Sequence, residues 1–261
     1  MGKKIIFFDI DGTIYQYGKK TMKSTVESVR KLKENGHIPV ICTGRTKAMI
    51  FDEIFDMGFE SLISGGGTYA EYKGKELYLY ELEKEKAEKA VNLMKEYGFM
   101  PIPEGHRHMY IDEDNLVEPY IPVYKIYKKE IGDRIKNIDF GSMRISKISG
   151  VIQNGSDIAS LEKELGSEYT FVNHAGHLLE LIPKPYSKAV GIKRMTEYLG
   201  IPVEDTYAFG DSFNDLEMLT YVRFGVAMGN SSKELFEHVK YRTDSIDEDG
   251  IYNGLRRFNL I

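Results

Sequence analysis

Three polar clusters, each directly after an apolar run, hold the residues able to do chemistry: Asp9-Ile10-Asp11-Gly12-Thr13, Thr43-Gly44-Arg45 and Gly210-Asp211-Ser212. Asn214 and Asp215 follow the third cluster closely. Carboxylates at 9, 11, 211 and 215 would repel one another in a shared crevice unless a cation sat among them or one kept a proton. Hard oxygen ligands in small number, with water completing the shell, suit Mg²⁺ better than Zn²⁺. No His/Cys set has zinc spacing, because His106/His108 and His174/His177 lie away from these clusters. Thr43, backbone N–H groups near Gly12 and Gly44, and Lys188 could bind an anion. A metal with donors around an anion is the apparatus of phosphoryl transfer, which is mostly positioning and charge stabilisation.

Each piece alone has a plainer reading. Asp-x-Asp-Gly is common in turns, where Asp accepts backbone hydrogen bonds and Gly supplies positive φ. Thr43 and Gly44 could simply end a strand. Lys188 could be a surface residue at a helix start, although a lysine there opposes the helix dipole. Gly-Asp-Ser-x-Asn-Asp could be an N-cap cluster for the helix that follows. The ordered set, each member after a strand, is harder to explain that way.

Alternating strands and helices would position these clusters. Ile5–Phe8 reads as a buried parallel strand, and Ser24 can cap a helix with Val26, Val29 and Leu32 on one face, ending at Asn35-Gly36. Ile38–Cys42 is a second strand, Thr46–Met57 an amphipathic helix and Phe59–Ile63 a third strand. Right-handed crossovers then imply an α/β parallel sheet. Gly65-Gly66-Gly67 breaks the pattern, and Lys73-Gly74-Lys75 reads as the turn of a hairpin. A helix over Glu81–Tyr97 opens a region of mixed strands and short helices, read as a separate α/β insertion. From Ser187 the alternation returns, with a helix to Leu199 and strands at Thr206–Phe209 and Phe224–Met228. In an open parallel sheet ligands bind outside the carboxyl ends of the strands, so clusters far apart in sequence would meet at one edge.

The chain has 261 residues, enough for a core domain carrying a smaller one, and 42% apolar residues support a globular fold. A net charge of −5 argues against a nucleic-acid partner, which needs a basic face. A lone cysteine, Cys42, cannot form an internal disulfide, so a cytoplasmic location is expected. The N-terminal segment lacks the apolar length and cleavage site of a secretory signal, and no apolar run approaches the roughly 20 residues that span a bilayer.

The combination resembles haloacid dehalogenase superfamily phosphatases of the Cof type. FFDIDGT at 7–13, ICTGR at 41–45, SKAVGIKRM at 187–195, AFGDSFNDLEML at 208–219 and VAMGNS at 226–231 carry the resemblance, with Thr243 and Asp249-Gly250 near the end. It implies a Rossmann-like parallel-sheet core from residues 1–80 and 184–261, and an inserted α/β cap domain over 81–183 that closes as a lid and selects substrate. It implies Asp9 as nucleophile and Asp11 as general acid and base. Mg²⁺ would be held by Asp9, the Asp11 backbone carbonyl and Asp211, with Asp215 supporting its water shell and orienting Lys188. Thr43, the Gly44 N–H, Lys188 and Asn214 would hold the phosphoryl oxygens. The substrate implied is a small phosphate monoester such as a sugar phosphate. Candidates for reading its leaving group are His106, Arg107, His108, Tyr110, His174 and His177.

Two departures stand out. Gly66-Gly67-Thr68 replaces the family's Asn-Gly-Ala, and Pro185-Tyr186-Ser187-Lys188-Ala189 replaces Gly-Val-Ser-Lys-Gly. Neither removes a group at which bonds form or break. A phosphotransferase on the same core and a non-catalytic metabolite sensor are the competing readings. Retention of both Asp9 and Asp11 weighs against the sensor.

Overall fold

A computed structural model describes residues 2–174 and 176–261. The chain separates into two compact units. One comprises residues 1–44, 52–77 and 188–261, and the other 45–51 and 78–187. The second unit thus reaches a few residues beyond the expected 81–183 and also takes in Arg45–Phe51.

The first unit contains β1 (Ile5–Phe8), α1 (Lys23–Glu34), β2 (Ile38–Cys42), α2 (Asp52–Phe55), β3 (Ser61–Ser64) and β4 (Tyr69–Tyr72), which leads into β5 (Lys75–Leu79). The second contains α3 (Lys84–Glu96), β6 (Met100–Glu104), β7 (Met109–Tyr110), α4 (Ile121–Ile131), β8 (Ile135–Lys136), β9 (Lys147–Val151), α5 (Ile158–Leu165), β10 (Tyr169–His174) and β11 (Leu178–Pro183). The first unit resumes with α6 (Lys188–Leu199), β12 (Thr206–Gly210), α7 (Leu216–Tyr221), β13 (Phe224–Ala227), α8 (Lys233–His238), β14 (Tyr241–Arg242) and α9 (Gly250–Arg257).

Its sheet has the order β14-β13-β12-β1-β2-β3-β4-β5. The pairs from β14 to β3 are parallel and β3/β4 is antiparallel. β1 lies between β12 and β2, and its four residues are wholly buried, as the continuous apolar run requires. Among the described residues, no helix is long and apolar enough to cross a membrane.

Two helices differ from expectation. α1 begins at Lys23 with Met22 as N-cap, and the Ser24 hydroxyl donates to Asp249 Oδ1 at 2.6 Å instead of capping. Its buried face is Thr25, Ser28, Val29 and Leu32, while Val26 is exposed. The helix predicted over Thr46–Met57 is a 3₁₀ turn, Lys47–Met49, followed by extended Ile50 and then α2. Tertiary contacts outweigh its helical periodicity: the Phe51 ring packs 5.5 Å from Tyr127, the Arg45 guanidinium lies 4.8 Å over Phe51, and Arg134 donates to the Ile50 carbonyl.

The second unit carries a sheet of order β10-β11-β9-β6-β7-β8, antiparallel except for β7/β8. Period-2 alternation divides its faces. Ile148, Leu179 and Leu181 join Ala90, Val91 and Met94 of α3 and Leu161 and Leu165 of α5 in a core. Lys147, Ser149, Glu104 and Glu180 share the opposite face and are also buried. Lys147 Nζ donates to Glu180 and lies 3.5 Å from Glu104, and Ser149 donates to Glu104.

Candidate active site

Register places the predicted clusters on one edge of the first unit's sheet. Phe8 pairs with Ile41 on one side and Phe209 on the other, so Asp9, Cys42-Thr43 and Gly210-Asp211 all follow at the carboxyl ends of adjacent strands. Asp9 continues the ladder, donating its N–H to Phe209 O at 3.0 Å. Beyond it the chain turns sharply: the N–H groups of Thr13, Ile14 and Tyr15 all donate to Ile10 O. Gly12 has φ +81, and a Cβ there would lie 2.2 Å from Asp211 Oδ2. Only glycine meets both demands.

Lys188, first residue of α6, is 5% exposed and donates to Asp9 Oδ1 and Asp215 Oδ1, each at 2.6 Å. The other Asp215 oxygen accepts from the N–H groups of Asp211 and Ser212 at 3.0 and 3.2 Å. Asp215 therefore closes the 3₁₀ turn after β12 while aligning Lys188. Ser212 and Asp215 form a capping box, as the N-cap reading of this motif expects. Thr13 Oγ1 donates to Asp211 Oδ1 at 3.2 Å. Ser212 donates to Asn214 Oδ1, leaving the Asn214 amide nitrogen as a donor. Thr43 is buried, with its N–H on Ile63 O and its carbonyl accepting from Gly66 N–H. Gly65, Gly66 and Gly67 all have positive φ, so Gly66, which stands in place of the family's Asn, holds a backbone conformation that glycine adopts without strain.

Carboxylate oxygens of Asp9, Asp211 and Asp215 lie within 4.8 Å of one another. Asp11 is half-buried and stands outside that trio. Burial, reinforced by the Asp215 charge and only partly offset by Lys188, holds the Asp9 carboxyl well above the usual carboxylate range. Burial and Asp215 likewise push Asp211 up to about 7. Burial alone would lower Lys188, but Asp215 and Asp9 overcome it and keep the ammonium charged. Three carboxyl groups crowd around the single ammonium of Lys188, and the donors are hard oxygens. The set fits a small divalent cation.

Sequence reasoning missed some supports of this site. Asn230, within the VAMGNS segment, donates to Gly12 O at 2.8 Å and accepts from Ile246 N–H at 2.9 Å, tying the Asp9 loop to the C-terminal region. The motif match contained Asn230 but gave it no role. The candidates for reading the leaving group are spread through the second unit. Tyr110 is buried with its hydroxyl accepting from Arg144 N–H, His174 lies 3.3 Å from Glu180, and Arg107 and His177 are exposed.

A sequence profile of the family described as haloacid dehalogenase-like hydrolase matches residues 6–255. YkrA of Bacillus subtilis (strain 168), named as a phosphatase, is 31% identical over 274 positions and covers 100% of both chains. YitU of the same organism, named as a 5-amino-6-(5-phospho-D-ribitylamino)uracil phosphatase, is 24% identical over 97% of each chain. The solved structure of BT4131, described as a sugar phosphatase of HAD subclass IIB, has a TM-score of 0.83 at 26% identity, over 99% of this chain and 100% of the other. The acidic strand-end site, the profile match and the whole-length relatives agree: the chain belongs to the haloacid dehalogenase-like hydrolases of the Cof type, and is a hydrolase acting on phosphate esters.

Proposed function

We propose that this hydrolase is a Mg²⁺-dependent phosphatase of a small phosphorylated metabolite, working through an aspartyl-phosphate on Asp9. The observation that carries this reading is the buried Asp9–Lys188–Asp215 chain with Asp211 beside it, an anionic cluster short of positive charge. Asp9 attacks phosphorus, the ester P–O bond breaks, and Asp11 gives its proton to the departing oxygen. Asp11 then takes a proton from water, the resulting hydroxide attacks phosphorus, and Asp9 is released with inorganic phosphate. Thr43, the Gly44 N–H, Lys188 and the Asn214 amide hold the phosphoryl oxygens as charge shifts. Asp9, Asp211 and the Asp11 carbonyl would hold Mg²⁺, which supplies charge neutralisation at the phosphoryl group. Both Asp215 oxygens already accept from protein donors, so Asp215 orients Lys188 and supports the metal's water shell.

A sugar phosphate or similar metabolite is the proposed substrate, in line with the named activity of BT4131. The insertion is proposed to act as the substrate-selecting cap. The cytoplasm is the proposed location, with no nucleic-acid or membrane partner.

The test is inorganic phosphate release from a panel of phosphate monoesters, with and without Mg²⁺. Mg²⁺-dependent release is expected, and no release from any ester by folded protein would favour the phosphotransferase or sensor. Mg²⁺ at about 100 times its Kd should also stabilise the fold by about 2.7 kcal/mol, a rise of several degrees in Tm. In Asp211→Asn that rise should largely vanish in scanning calorimetry. An undiminished rise would remove Asp211 from the metal set.

A further inference from the structure

At the amino ends of the same strands, away from the Asp9 edge, the first unit contains a cavity of about 320 Å³. That volume is in the range of small-molecule sites, roughly 300–1,000 Å³. Lys3, Lys33, His37, Glu60, Ser61 and Lys73 line it. Its floor is built from buried polar groups, with His37 7% exposed and Ser61 3%. His37 Nδ1 accepts the Lys4 backbone N–H at 3.3 Å. Burial, with the Lys4 charge adding to it, holds His37 below the ordinary histidine value. The neutral imidazole must therefore carry its proton on Nε2, where it is a donor. Ser61 Oγ accepts from Lys73 N–H, leaving its own hydroxyl proton to donate.

The rim is cationic. Lys33 pairs with Glu60 at 2.6 Å, and the Lys73 charge also acts on Glu60, while no ion pair is formed by Lys3 among the described residues. Lysines at three positions face one carboxylate, in a chain whose net charge is −5. Lys73 is held at the rim by the β4–β5 turn, where Lys73 and Gly74 have φ of +49 and +74. Donors beneath and an excess of cations over carboxylate above form an anion-binding arrangement.

We propose that this cavity binds a small organic anion, recognised through a phosphate or carboxylate group by His37, Ser61, Lys3 and Lys73, at a site separate from the Asp9 crevice. The two anion chemistries can be told apart by titrating the full-length protein with inorganic phosphate and, separately, with malonate, following the His37 imidazole resonances by NMR. A saturable shift with phosphate alone assigns a phosphate-bearing ligand, and one with malonate assigns a carboxylate-bearing ligand. In the Lys3→Gln/Lys73→Asn variant, apparent affinity should fall about tenfold or more, with hydrolytic activity unchanged. Asn-Gly suits the left-handed turn, so the variant retains the hairpin. Unmoved His37 resonances with both anions would overturn the proposal. So would a shift that persists undiminished in the variant, since that marks an indirect response to phosphate in the catalytic crevice.

Discussion

Asp9→Asn will abolish turnover while leaving the fold at least as stable as before. The amide keeps the size of the carboxylate but cannot attack phosphorus, so kcat should fall on the order of 10⁴-fold or more, the scale of losing a covalent nucleophile. Lys188 keeps Asp215 as a hydrogen-bond partner at 2.6 Å, so its ammonium is not stranded. The substitution also removes one of the carboxylates that crowd the site, and burial and Asp215 already hold Asp9 above its usual range. Turnover and Tm measured on the same preparation decide the matter. An active Asp9→Asn protein would sink the nucleophile assignment, and a misfolded one would mean that Asp9 has a structural role.

The second large effect is expected in the inserted unit and concerns stability. Lys147 is 1% exposed between Glu104 and Glu180, which are also buried. Lys147→Met fills the space but strands two carboxylates, and breaking a buried pair in this way costs about 3–5 kcal/mol. In the native chain burial would raise Glu180, but Lys147 and His174 overcome it and hold the carboxyl below the usual range. Burial raises Glu104, only partly offset by Lys147. Without the lysine both carboxyls rise, and each folded-state pKa above its unfolded value means that stability falls as pH increases through that interval. The deficit of Lys147→Met relative to the native protein should therefore be largest near pH 8 and shrink toward pH 5. Urea denaturation at the two pH values measures it, and Lys147→Met/Glu180→Gln should recover part of the loss. A deficit independent of pH would show that lost packing, not stranded charge, is responsible.

The residues proposed as catalytic were legible because each sits in a short local motif at a strand end. Asp9, Thr43 and Asp211 follow apolar runs that could only be buried strands, and a parallel sheet must bring such ends together. Helix details were less legible. Ser24 has the chemistry of a cap, yet Asp249, 225 residues away, takes its hydroxyl. The segment after Thr46 has helical periodicity, yet Arg134 and Tyr127 hold it open. Local propensity is a matter of tenths of a kcal/mol per residue, and such contacts outweigh it.

The sequence by itself determined the alternating core, the acidic strand ends and the residue types needed for phosphoryl transfer, because these depend on patterns a few residues long. Only the tertiary structure decided which groups are paired. Lys188 bridges Asp9 and Asp215 across 179 and 27 positions, Asn230 reaches Gly12 across 218, and Lys147 meets Glu180 across 33. Such pairings carry no local signature: they arise when burial removes water and leaves each charge or donor to find its partner within the protein.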